Sequence, residues 1–186
     1  SKTLMRPVSV LIGELGSGKS LAAERLLQEA IGGARRDPEA PIPVYLEATS
    51  VGRRLSDSIR VATQECGDIA HRGALVILDG ADETGSGRAR TLLDEARQIG
   101  IAWPNTSVII FSRPLTAFSD LEEARWMPAL SETAALQIVT RVSGQPPTIG
   151  SVASWPRSVR EAIRRPLFAV LMGVYLLHGG GSTPHS

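Results

Sequence analysis

A glycine-rich segment near the start of the chain has the residue types that bind phosphate. Residues 13–20 read Gly-Glu-Leu-Gly-Ser-Gly-Lys-Ser and match the pattern GxxxxGK[ST]. Glycines let backbone N–H groups point at phosphate oxygens, and a helix beginning near Gly18 adds its positive end. In this pattern Lys19 reaches the β- and γ-phosphates and the Ser20 hydroxyl binds Mg²⁺. The residues predicted to contact nucleotide here are Gly13, Glu14, Leu15, Gly16, Ser17, Gly18, Lys19, Ser20 and Leu21.

The segments on either side of this loop support the interpretation. Residues 8–12 form a short apolar run that predicts a strand, and residues 18–31 carry apolar side chains at helical spacing. We expect Gly32 and Gly33 to end that helix. A glycine-rich turn with a surface lysine is the alternative, and the strand before the loop and the helix after it make this alternative unfavourable.

A second set of candidate residues follows another apolar run. Residues 74–78 form an apolar run that is too short for a helix, and Asp79 follows it directly. Such a run predicts a buried strand. A carboxylate at the carboxyl end of such a strand lies beside the ligand crevice of an α/β sheet and can hold Mg²⁺, usually through water. Asp82 and Glu83 come next, and one of them could orient or deprotonate an attacking water. For each of these two, a solvated turn residue is the alternative.

A third strand end carries an arginine. Residues 108–111 are a buried apolar run followed by Ser112, Arg113 and Pro114. If this strand lies beside the strand before the phosphate loop, Arg113 faces the γ-phosphate, and its guanidinium can sense that group. Pro114 restricts Arg113 to an extended backbone and so keeps it in line with the strand. An arginine that merely extends into solvent from a strand edge is the alternative.

Strands and helices alternate along the first two thirds of the chain. This order predicts an α/β fold, with crossover connections and a parallel sheet that helices cover on both faces. The pattern changes after Pro114: a last edge strand is expected at residues 125–127, and only helical segments follow, with Ser131 as an N-cap. We predict a nucleotide-binding domain at 1–128, a helical domain at 129–178 and a flexible tail at 179–186.

Composition disfavours several classes of protein. The net charge is +1 over 186 residues, so the chain lacks the overall basic surplus that proteins binding nucleic acid directly usually show, although a local basic patch remains open. Cys66 is the single cysteine, which rules out an intrachain disulfide and suits the cytoplasm. The longest apolar run, residues 167–177, is too short to span a bilayer, so we expect no membrane partner. No signal peptide is visible at the start. Because the sequence begins without Met and ends in a glycine-rich stretch, we expect a domain excised from a longer protein.

The three motifs together resemble the NACHT family of signal-transduction NTPases, in the STAND class. Its members carry a GxxGxGK[ST] loop, then a strand ending in DGxDE, then a strand ending in SRP. Here residues 79–83 read Asp-Gly-Ala-Asp-Glu and residues 112–114 read Ser-Arg-Pro. Gly80 is distinctive, because motor ATPases place a glutamate directly after the Mg²⁺-binding aspartate. Residues 127–132 resemble the family's entry to its first helical domain, and residues 165–167 resemble its proline-leucine motif.

The resemblance implies both a fold and a function. The fold is a P-loop NTPase with a five-stranded parallel sheet in the order 5-1-4-3-2, flanked by helices and followed by a small helical subdomain. The cofactors are ATP or ADP with Mg²⁺, Pro166 packs near the adenine base, and hydrolysis is slow. Such proteins are switches in which ADP holds a closed monomer and ATP permits homo-oligomerisation. Their partners are the other domains of the full-length protein, and bacterial members serve in antiphage defence or regulation.

Three other functions remain open at this point. A P-loop kinase of a small molecule usually has an arginine-bearing lid, where this chain has helical segments. A nucleic-acid-linked AAA-type ATPase is disfavoured by the near-zero net charge and by Gly80. A scaffold that binds nucleotide without hydrolysing it is disfavoured by the intact Lys19 and Asp79. ATP is preferred over GTP only by the resemblance, since no guanine-specific motif is present.

Overall fold

The computed structural model describes residues 7–146, 152 and 154–178, and every structural statement below refers to them. The described residues form two compact units: one contains residues 7–14 and Lys19–Met127, the other Leu15–Gly18 and the described residues from Pro128 onward. The tail at 179–186, which we predicted to be flexible, lies outside the described residues.

The first unit is built on five parallel strands. They are β1 (Val8–Ile12), β2 (Ile42–Glu47), β3 (Ala74–Asp79), β4 (Ser107–Ser112) and β5 (Ala124–Trp126). Their order in the sheet is β2-β3-β4-β1-β5, and every neighbouring pair is parallel. Read from the other edge this is 5-1-4-3-2, so the predicted fold class and strand order are confirmed. The strand that ends at Arg113 therefore lies between the strand before the phosphate loop and the strand that ends at Asp79.

Four helices connect these strands. They are α1 (Lys19–Arg36), α2 (Leu55–Thr63), α3 (Ile69–Arg72) and α4 (Ser86–Ala102). The prediction that Gly32 and Gly33 end α1 was wrong, because the helix continues for another turn. A glycine inside a helix costs only about 1 kcal/mol, and the last turn gains Arg35 and Arg36 at the negative end of the helix dipole. Arg36 Nε also donates to the carbonyl oxygen of Gly32 at 3.0 Å.

The central strands are buried on both faces of the sheet. On one face, side chains such as Val76, Leu78 and Ile110 pack with α2 and α4 in the larger core cluster. On the other face, Ile77 and Phe111 pack with α1. Parallel sheets require such covering, since both faces consist of apolar side chains. The packing fixes the carboxyl ends of β1, β3 and β4, where the candidate residues lie.

Beyond residue 128, the described part of the second unit contains helices and no strand. Three of the helices are α5 (Glu132–Ser143), α6 (Arg157–Ala162) and α7 (Pro166–Leu177). The predicted N-cap is confirmed: the Ser131 hydroxyl accepts the backbone N–H of Ala134 at 3.1 Å. Helices α5 and α7 pack closely because Gly173 has no side chain; a Cβ there would lie 2.6 Å from Val142 Cβ. No helix in the described part of the chain is long and apolar enough to cross a membrane.

Candidate functional site

The candidate residues of the first unit lie at the carboxyl ends of three adjacent strands. The backbone N–H of Gly13 donates to the Ser112 carbonyl oxygen at 3.0 Å, which extends the pairing of β1 and β4 by one residue. Asp79 is the last residue of β3 on the other side of β4, and Arg113 directly follows β4. The sheet thus places the start of the phosphate loop, Asp79 and Arg113 at the same end of three adjacent strands.

Lys19 opens α1 and its ammonium group turns back toward the start of the loop. Its Nζ donates to the carbonyl oxygens of Gly13 at 2.6 Å and Glu14 at 3.1 Å. Burial lowers the pKa of Lys19 below its usual 10.5, Asp82 opposes this shift, and Arg113 and Asp79 contribute in opposite directions. Asp82 and Arg113, which contact each other, and Asp79 at the neighbouring strand end are the charged residues that act on this ammonium group.

Asp79 is partly buried at the end of β3 and has a partner that the sequence did not indicate. The phenol of Tyr45, on β2, donates to Asp79 Oδ2 at 3.1 Å. Burial raises the pKa of Tyr45 to about 12, with the negative charge of Asp79 and the hydrogen bond to it as further causes. The phenol therefore stays protonated and remains a donor to this carboxylate.

Asp82 and Arg113 form a pair with two contacts. Asp82 Oδ1 accepts the backbone N–H of Arg113 at 2.8 Å, and Oδ2 lies 3.4 Å from Arg113 Nε. The Asp82 side chain is only 13% exposed, whereas that of Arg113 is 51% exposed. Both oxygens of the Asp82 carboxylate thus contact Arg113, while the guanidinium extends from the end of β4 toward solvent.

Glu83 differs from Asp82 in its surroundings. It is exposed and lies in the short 3₁₀ turn Ala81–Thr84. Gly80, directly before this turn, has a left-handed conformation with φ of 76°. A Cβ on Gly80 would lie 3.5 Å from Glu83 Cδ, so the glutamate carboxyl group folds back over this glycine. The sequence offered Asp82 or Glu83 as the residue that acts on the attacking water. Of these two, Glu83 is the one whose carboxylate does not contact Arg113.

The middle of the phosphate loop, Leu15–Gly18, belongs to the second unit. Gly16 and Gly18 have φ of 77° and 87°, values that L side chains rarely adopt. Gly16 also accepts the backbone N–H of Leu167 at 3.2 Å, and a Cβ on Gly16 would lie 2.9 Å from Leu167 Cβ. Both the backbone conformation and the close approach therefore require glycine at residue 16.

Two further loop features bear on phosphate binding. The Ser17 hydroxyl is buried and has no hydrogen-bond partner in the described part of the chain, which leaves a donor for a ligand. Pro166, predicted near the base, lies beside Gly18, since a Cβ on Gly18 would be 3.5 Å from Pro166 Cγ. An orphaned buried donor between two left-handed glycines fits a phosphate group.

The remaining predicted residues are exposed. Ser20 lies in the first turn of α1, and Leu21 is 60% exposed, so it does not join the apolar face of that helix. Glu14 is exposed, and so is Leu15. No group of three or more His, Cys, Asp and Glu side chains among the described residues is placed to hold a metal. Ser20 and Asp79 suit Mg²⁺, which keeps several waters and binds through few protein ligands plus substrate phosphates.

Comparison with known proteins supports the fold. No family model matches this chain, and no curated protein matches it either. The Aeropyrum pernix ORC2 protein, solved as ADPNP–ADP complexes, is similar with a TM-score of 0.51 and 14% identity, over 96% of this chain and 59% of that one. The chain therefore has the fold of P-loop ATPases, and it spans about three fifths of the length of that relative.

Two other similar structures resemble the chain less. One describes katanin self-assembly, with a TM-score of 0.48 and 14% identity over 96% of this chain and 57% of that one. The other is C. elegans PCH-2, with a TM-score of 0.42 and 15% identity over 85% of this chain and 47% of that one. Neither is similar enough to add to the argument.

Proposed function

We propose that this chain is a regulatory ATPase module of the NACHT type, which binds ATP or ADP with Mg²⁺ and hydrolyses ATP slowly. The observation that carries the proposal is the placing of these residues at one end of the sheet. The Lys19 ammonium group bonds to the loop at the end of β1, and Asp79 and the Asp82–Arg113 pair lie at the ends of β3 and β4. These residues belong to the loop, DGxDE and SRP motifs of the family it resembles. The adenine nucleotides in the Aeropyrum pernix ORC2 structure are in keeping with ATP as the substrate.

Each residue has a role in the proposed site. Lys19 and the loop residues bind phosphate, the Ser20 hydroxyl and Asp79 hold Mg²⁺, and the metal when bound neutralises phosphate charge. Glu83 orients or deprotonates the attacking water, because its carboxylate is exposed and free of Arg113.

Arg113 reads the γ-phosphate, and Asp82 positions it rather than acting on water. The two contacts from the Asp82 carboxylate fix both the backbone and the side chain of Arg113. Such a fixed guanidinium is suited to bidentate binding of a phosphate. Pro166 lines the base pocket, as its place beside Gly18 supports.

The proposal extends to organisation and partners. Residues 1–128 form the nucleotide-binding domain and residues 129–178 the first helical domain of a larger cytoplasmic signalling or immune-defence protein. The module binds nucleotide and the other domains of that protein, and it forms a homo-oligomer in the ATP state. Neither a membrane nor a nucleic acid is among its direct partners.

ATP turnover by Glu83→Gln tests the enzymatic part of the proposal. We expect this variant to bind ATP like the parent but to hydrolyse it at least about 100-fold more slowly, as removal of a general base requires. Glu65→Gln, an exposed glutamate of the first unit outside the candidate site, is the matched control and should keep parental turnover. Equal turnover in the parent and Glu83→Gln would contradict the role of Glu83, and phosphate transfer to a small molecule instead of water would identify a kinase.

A further inference from the structure

We propose that Tyr45 is a positioning residue for the Asp79 carboxylate and thereby sets the affinity of the nucleotide site for its divalent cation. The inference rests on the proposed function, since it takes Asp79 as the carboxylate that supports Mg²⁺. The phenol of Tyr45 donates to Asp79 Oδ2 at 3.1 Å. No sequence motif of the chain includes Tyr45.

The sheet register explains why these two residues meet. Strands β2 and β3 are parallel, with Tyr45 opposite Ile77 and Glu47 opposite Asp79. Side chains two residues apart lie on the same face of a strand, so Tyr45 and Asp79 are diagonal neighbours on one face. Diagonal neighbours of this kind are within reach of an aromatic side chain, as the 3.1 Å hydrogen bond shows. The contact is therefore fixed by two paired strands rather than by a loop.

The hydrogen bond can orient the carboxylate. A phenol is a single directional donor, and it occupies one of the two oxygens of Asp79. The other oxygen, Oδ1, accepts no hydrogen bond from any residue within the described ranges, and it remains for a metal-bound water. Carboxylates that support metals are commonly held in this way, and loss of such a partner typically weakens metal affinity by about 10–100-fold.

The hydroxyl of Tyr45 is the group that contacts Asp79. A phenol is protonated at neutral pH, so the hydroxyl can donate to Asp79 there. A purely structural role for Tyr45 would depend on its ring instead, and phenylalanine would keep that ring.

Binding of Mn²⁺ together with ADP tests the inference, because free Mn²⁺ is measured directly by electron paramagnetic resonance and no turnover is needed. We expect Tyr45→Phe to bind Mn²⁺ about tenfold more weakly than the parent in the presence of ADP. ADP affinity in EDTA should be the same in both. Tyr175→Phe is the matched control: Tyr175 is the only other tyrosine and is equally exposed, at 37%. It should bind Mn²⁺ as the parent does.

The outcomes separate this inference from the function on which it rests. If the parent binds Mn²⁺ with ADP and Tyr45→Phe binds it as tightly, the positioning role is overturned while the proposed function stands. If Tyr45→Phe loses ADP affinity equally with EDTA and with metal, the hydroxyl acts on nucleotide binding without the metal and the inference is again overturned. If the parent binds neither ADP nor Mn²⁺ with ADP, both the proposed function and the inference that rests on it are overturned.

Discussion

The carboxylate of Asp82 accepts the backbone N–H of Arg113 at 2.8 Å and lies 3.4 Å from the guanidinium of the same residue. This pair assigns different roles to the two acidic residues that follow Asp79. Asp82 holds an arginine at the end of β4, whereas Glu83 is exposed in the next position.

We expect Asp82→Asn to impair discrimination between ATP and ADP. Asparagine can still accept the Arg113 backbone N–H, but it loses the charge that attracts the guanidinium and presents an amide donor in its place. ADP affinity should stay at the parental level, while ATP affinity and turnover should fall by about tenfold, the equivalent of about 1.4 kcal/mol. Titrations with both nucleotides measure this. Unchanged ATP affinity would show that Asp82 does not position Arg113 for the γ-phosphate.

The role of Arg113 itself is tested by Arg113→Lys. Lysine keeps the positive charge but lacks the planar fork that binds phosphate oxygens in pairs. We expect weaker binding of ATP and unchanged binding of ADP, measured by calorimetry. Arg25→Lys, an exposed arginine on α1, is the control and should bind both nucleotides normally. An equal loss for ATP and ADP in Arg113→Lys would assign the residue to the folding of the site instead.

The surroundings of Tyr45 also predict an alkaline titration. Burial, followed by the negative charge of Asp79 and the hydrogen bond to it, raises the pKa of Tyr45 from 10.0 to about 12, so the folded chain keeps a proton that the unfolded chain loses within this interval. The stabilisation is therefore fully present below pH 10 and is lost as pH rises toward 12. In metal-free Tyr175→Phe, where Tyr45 is the only tyrosine, tyrosinate absorbance should develop near pH 12. Development near pH 10 would show that these surroundings of Tyr45 do not persist in solution.

The cap of α5 gives a prediction about stability. Ser131→Ala removes the acceptor for the Ala134 backbone N–H and should lower the stability of the helical unit by about 1 kcal/mol. Ser131→Asn retains a capping oxygen and should restore most of the loss. Thermal unfolding followed by circular dichroism compares the three chains. Equal melting temperatures for the alanine and parent proteins would mean that the cap contributes nothing measurable.

Much of the fold could be predicted from local patterns in the sequence. The apolar runs that end at Asp79 and Arg113 predicted buried parallel strands, because a strand covered on both faces has no polar alternation. The strand order needed the family resemblance, since no local signal states which strands are neighbours. The end of α1 was mispredicted because a glycine penalty of about 1 kcal/mol is smaller than what a packed 18-residue helix gains.

The site was predicted less completely, for a different reason. Lys19, Asp79 and Arg113 lie at strand and helix ends, where position along the chain indicates position in the crevice. Tyr45 was missed because its contact with Asp79 depends on the register between β2 and β3, which only the folded sheet defines. The choice between Asp82 and Glu83 depended likewise on a contact with Arg113, 31 residues away in the chain.

Lys19 is the residue on which the proposed binding of an adenine nucleotide with Mg²⁺ depends most. Calorimetric titration of ADP and ATP into the parent and into Lys19→Ala measures this dependence. Lys2→Ala changes the only other lysine in the sequence and serves as the control. We expect the parent and Lys2→Ala to bind both nucleotides and a folded Lys19→Ala protein to bind neither. Equal binding by the parent and Lys19→Ala, or no nucleotide binding by the folded parent, would refute the proposed phosphate site.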